Sequence, residues 1–317
     1  MHPAASVIVF TTLCGAGYGL LAWLGLYGAV GELPLDSAFG AVSMLLSLGV
    51  ISAGLISSTF HLGHPERAWR AFSQWRSSWL SREGVAAVAT YIPAIVFGTG
   101  WVLFRSTAGL WAASGLFSLA GAAITVICTA YIYRSLKPIP AWSNRWVAPN
   151  YLALSAMTGA LWLGALSTLF GHRLPDLGFV AAATILLALL LKLAYWRHID
   201  GNPGASTAES ATGLGFLGKV RLFEAPHTSE NYLLKEMGFR IARKHAQKLR
   251  LLALCLGFIA PFVLASVAAL AAGILSPIFW LLAASGAMIG VLIERWLFFA
   301  EAKHTVTLYY GRDLGPS

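Results

Sequence analysis

The sequence predicts an all-α, polytopic membrane protein: a bundle of eight transmembrane helices. Three observations carry that prediction. Eight apolar runs recur along the chain, each near the roughly 20 residues a helix needs to cross a hydrocarbon core of about 30 Å. The composition is 57% hydrophobic and only 11% charged, a balance for which lipid is the natural solvent. Lys and Arg gather in alternate loops, as they do in chains whose loops face opposite sides of a membrane.

In chain order, the first run covers 5–30. His2, Pro3 and Ala4 before it supply no cationic segment, so it reads as a retained span and not as a cleaved signal. A turn-rich connection from Gly31 to Asp36 leads into the run at 38–62. Then comes a polar, aromatic stretch from His64 to Arg82 that holds Trp69, Trp75 and Trp79, followed by runs at 84–104 and 110–133. Pro138 and Pro140 rule out a regular helix across Arg134 to Pro149. Runs at 150–170 and 177–195 follow, and then a long connection at 196–250. Its first part, Gly201 to Gly218, has the composition of a flexible linker, and its second, Ser229 to Arg250, has the pattern of a basic amphipathic helix. Runs at 251–274 and 277–300 complete the set. No internal repeat or soluble domain is visible, so residues 1–317 are expected to form one membrane-anchor domain.

The odd connections carry Arg105 and Arg173, whereas the even connections and the tail carry Arg67, Arg70, Arg76, Arg82, Arg134, Lys137, Arg145, a cluster from Arg197 to Arg250, Lys303 and Arg312. The positive-inside rule therefore places both termini and the even connections in the cytoplasm. Anionic inner-leaflet lipids account for the net charge of +9, so no nucleic-acid partner is implied. Cys14, Cys128 and Cys255 stand singly in apolar runs and have no cluster-ligating spacing. No histidine sits in mid-span, so no haem is expected, and no metal-ligand spacing, phosphate loop or nucleophile elbow occurs.

The chemistry-bearing residues lie at the even ends of the spans. His61 closes the second run and Glu83 opens the third, so an imidazole and a carboxylate face each other across a hairpin mouth at the depth of a quinone head group. They would hydrogen-bond a quinone carbonyl and pass protons, or else merely cap helices and pair with nearby arginines. His64 reads as solvent-facing. Glu294 and Arg295 form the most deeply embedded ionisable pair, suited either to quinone binding and proton transfer or to a structural pair with Arg295 snorkelling outward.

The start from Met1 to Thr12 with Gly15 to Gly19, the segment from Phe60 to Arg67 onward through Ser81 to Gly84, and the end from Ile293 to Ala300 resemble the dimethyl sulfoxide reductase membrane anchor family. The likeness covers nearly the whole chain. It implies a haem-free, eight-helix anchor that binds menaquinone or ubiquinone and holds an iron–sulfur electron-transfer subunit and a molybdopterin catalytic subunit. It implies that His61 matches the family's quinone-site histidine and Glu83 the acidic residue associated with it. With the even loops in the cytoplasm, the chain looks most like the subgroup anchoring the cytoplasmic sulfite-oxidising molybdoenzyme, ahead of an oxide reductase run in the opposite direction.

No substrate chemistry is expected in this chain itself. Arg67, Arg70, Arg76, Arg134 and Arg145 are candidates for the docking surface, or are topology signals only. Two other classes stay open: a purely structural anchor without a quinone site, and a secondary transporter, which would need polar ligands at a midplane that is nearly bare of them.

Overall fold

The computed structural model describes residues 5–60, 64–174, 176–202, 206–221, 223–224 and 245–310. Among them eight helices are long and apolar enough to span a membrane. They are α1 (Ala5–Ala29), α2 (Ser37–Thr59), α3 (Trp79–Leu103), α4 (Leu110–Arg134), α5 (Val147–Leu169), α6 (Leu177–Gly201), α7 (Ala246–Leu270) and α8 (Leu275–Ala300). No strand occurs among the described residues.

The odd connections are tight reversals, and each contains residues in the left-handed region: Gly31 (φ 80°), Arg105 (48°) with Gly109 (58°), Gly171 (77°) and Gly273 (59°). Asp36 starts α2 by accepting from the backbone N–H groups of Ala38 and Phe39. In the even connection at 135–146, Trp142 Nε1 donates to the Phe298 carbonyl (2.8 Å) and Thr305 N to that of Pro138 (3.0 Å), which fastens this stretch to the C-terminal segment.

Several helices extend past their apolar runs. α3 starts at Trp79, capped by the Ser78 hydroxyl, so Glu83 lies in its second turn and does not open it. α6 continues through Arg197, His198 and Asp200, and α7 begins at Ala246, before its apolar run. Arg250 of α7 ties these polar extensions together, reaching Asp200 (2.7 Å) and Glu301 (2.8 Å) just after α8. The expected amphipathic helix from Ser229 falls mostly outside the described residues, and its end is the first turn of α7. Within the stretch read as a linker, a Thr207–Ser210 capping box starts a short helix, Ala208–Thr212.

α1 to α4 pack as one group and α5 to α8 as a second, joined chiefly along α1 and α5, the two most buried spans. Small residues allow that approach: a Cβ on Gly19 would overlap the Ser155 backbone, and one on Gly159 would overlap Gly19. Interhelical hydrogen bonds reinforce the seam, from Ser155 Oγ to the Gly15 carbonyl (2.6 Å) and from Trp23 Nε1 to that of Ala156 (2.8 Å).

Candidate functional site

Glu83 is buried, 5% exposed, at the even-connection end of α3. Its hydrogen-bond partner is neutral: the hydroxyl of Thr129, on α4, donates to its carboxylate. The arginine next to it turns away, with Arg82 donating to the carbonyls of Trp75 (3.0 Å) and Arg76 (2.6 Å). Glu83 is thus not a helix cap, and it pairs with no arginine among the described residues. A hydroxyl pair, Thr90 with Thr125 (3.4 Å), continues the polar strip between α3 and α4. Aromatic rings surround the mouth: Trp79 and Tyr131 pack 4.6 Å apart, and Phe72 of the 3-10 segment Pro65–Gln74 lies over Gly84. Arg82 covers the Trp79 ring and Arg134 the Tyr131 ring, at 4.3 and 4.7 Å. His61 lies outside the described residues. His64 is exposed and pairs with Glu66 of its own segment (3.0 Å), away from Glu83.

A second polar group sits at the same end of the bundle. Glu294 is 0% and Arg295 2% exposed, so Arg295 does not snorkel. Glu294 also meets Lys192 of α6, 1% exposed, so that one carboxylate holds two cations. The rings of Tyr195 and Tyr151 lie 4.2 Å from Lys192 and 4.0 Å from Arg295. Between this group and Glu83 stands Tyr133, one turn beyond Thr129, its ring 6.1 Å from Tyr151 and 5.6 Å from Phe298. Lys192 is not among the candidates named from the sequence. A lysine within a run as apolar as that of α6 was the available signal for an internal partner. Among the described residues no group of three or more His, Cys, Asp or Glu is placed to hold a metal ion.

The model of the DMSO reductase anchor subunit (DmsC) family matches residues 1–311. This chain belongs to that family. It is also 35% identical to a sulfite dehydrogenase subunit from Allochromatium vinosum, an alignment that covers 98% of this chain and 99% of that protein. No solved structure matches it significantly.

The candidate docking residues of this family member share the even-connection end. Arg67, Arg70, Arg76 and Arg145 are exposed and Arg134 is half-buried. Trp69, Phe72 and Trp75 are exposed among them, so this end presents rings and positive charge together.

At the opposite end the Asp36 carboxylate meets His172 Nε2 at 2.9 Å. That hydrogen bond, aided by the Phe39 and Ala38 N–H groups, holds the Asp36 pKa below its ordinary value. A depressed carboxylate contributes stability that is complete above the unfolded value of about 4 and is lost as pH falls through the lower folded value. Asp36→Asn keeps a capping side chain but removes the titration, so the melting temperature of the variant should change less below about pH 4 than that of the parent. Parallel melting profiles for the two would refute this assignment.

Proposed function

We propose that this chain is the inner-membrane anchor of a molybdenum and iron–sulfur oxidoreductase complex and exchanges electrons with quinone beside Glu83. Membership of the anchor family makes it a multi-pass membrane anchor of a molybdoenzyme complex. The quinone reading is carried by the contrast between its two buried glutamates. Glu294 is held by two cations, whereas among the described residues Glu83 meets a hydroxyl and no cation, and so can change protonation without breaking an ion pair there.

The residues fit a quinone head group. Phe72 offers an exposed ring to a planar, largely apolar ligand, the packed Trp79–Tyr131 pair with its two arginines forms a wall next to it, and Glu83 supplies a carboxyl at the same end of α3. Quinone, when bound, supplies a carrier of two electrons and two protons. Thr129 orients the Glu83 carboxyl, Glu83 holds and moves a proton at that carboxyl, and the rings limit access of water. His61 remains the proposed second proton-handling group at this mouth. Glu294 and Arg295 would act on the same end electrostatically. His64 is the weakest candidate, since its exposed pair with Glu66 directs it elsewhere.

The basic even connections favour a cytoplasmic placement for this end and for both termini. Arg67, Arg70, Arg76, Arg134 and Arg145 then form the surface for an iron–sulfur subunit, which relays electrons to and from a molybdopterin catalytic subunit. Likeness to a sulfite dehydrogenase subunit over almost the full length favours sulfite oxidation over sulfoxide reduction. The test is to purify the complex from its native membrane in mild detergent and assay it with sulfite and a soluble quinone analogue. Molybdenum and iron should co-purify, and sulfite should reduce the quinone. A preparation without either metal would overturn the anchor reading, and one that only oxidises quinol with a sulfoxide would overturn the sulfite assignment.

A further inference from the structure

We propose that the junction of α1, α5 and α8 binds a buried water that joins Arg295 to Thr12 and Tyr151. A cavity of about 10 Å³ lies there, lined among others by Thr12, Gly15, Tyr151, Ser155, Thr158 and Arg295. That volume is close to what one water requires. Three of the lining side chains bring polar atoms that make no well-aligned hydrogen bond among the described residues, Thr12 Oγ1, Tyr151 Oη and Arg295 Nη2, the last two being close enough to interact with each other. Their residues are 3%, 5% and 2% exposed, so bulk solvent does not serve them.

The other hydroxyls at the cavity are already used. Ser155 donates to the Gly15 carbonyl (2.6 Å) and Thr158 to that of Leu154 (2.8 Å). Gly15 adds room, since a Cβ there would meet no atom within 4 Å. Three orphaned groups around one water-sized space are what a single water resolves, because it makes two to four hydrogen bonds.

Donor capacity explains why the occupant is an acceptor. Arg295 gives its Nε to the Glu294 carboxylate. Its Nη2 is left needing a lone pair, which a water oxygen supplies, while the water's hydrogens turn to the Tyr151 and Thr12 oxygens. No bond breaks and no electron moves. The site stands apart from Glu83 and does not depend on the quinone reading.

The experiment pairs a high-resolution map of the intact complex with melting of two variants, Tyr151→Phe and Thr12→Val. Removing a hydroxyl from a dry cavity deletes an unsatisfied buried group and raises the melting temperature; removing it from a hydrated one breaks a water bridge and lowers it. We expect density within hydrogen-bond distance of all three atoms and a melting temperature lowered by a few degrees in both variants. An empty cavity in the map, or a melting temperature that rises in either variant, overturns the proposal. So does stabilisation of the parent by chloride relative to gluconate, which would put an anion there instead.

Discussion

Replacing Glu83 with Gln lowers quinone-linked turnover of the assembled complex by about 100-fold, the low end of what a positioned acid or base contributes. The variant keeps the shape of the side chain and can still accept from Thr129, so α3 and α4 stay packed. What it loses is the ability to take and release a proton beside the aromatic mouth. Activity with an artificial electron carrier, which bypasses quinone, should remain near that of the parent, as should co-purification of the partner subunits. Equal loss of both activities, or failure to assemble, would make Glu83 a structural residue and remove the main support for a quinone site here.

The largest effect on stability belongs to Glu294. Glu294→Leu leaves Lys192 and Arg295 buried and uncompensated in the bundle, a change of the kind that costs about 3–5 kcal/mol. Lys192→Met leaves one carboxylate with one guanidinium and fills the same space with an apolar chain of similar length, so it should be far milder. Melting in detergent and the yield of folded protein from membranes measure the difference. If the two variants prove equally damaging, the two-cations-to-one-carboxylate balance is not what holds α6 to α8.

Much of this arrangement was legible in the chain. All eight spans coincide with apolar runs, and the proline-rich even connection is irregular as expected. The boundaries moved where polar residues ended a run before the helix ended. α3 accepts Arg82 and Glu83 in its first turns because Thr129 takes the carboxylate and nearby carbonyls take the guanidinium. α6 and α7 lengthen because Asp200, Arg250 and Glu301 satisfy one another at the bundle's end. Of the candidate residues, Glu83, Glu294 and Arg295 could be picked out as charges within or beside apolar runs. Lys192 carried the same signal, whereas the roles of Thr129, Tyr151 and Thr12 could not be read.

By itself the sequence determined how many times the chain crosses, where it turns and which end carries the charge, since these follow from local hydropathy and from where Lys and Arg occur. Only the tertiary structure decided which polar groups meet. Lipid is as apolar as the bundle interior, so a span that is apolar all round carries little record of which face turns inward. Small residues let particular faces approach closely, as Gly19 and Gly159 do between α1 and α5 and Gly121 does against Thr90 between α4 and α3, and the faces that meet in the packed bundle bring Thr129 to Glu83 and Lys192 to Glu294.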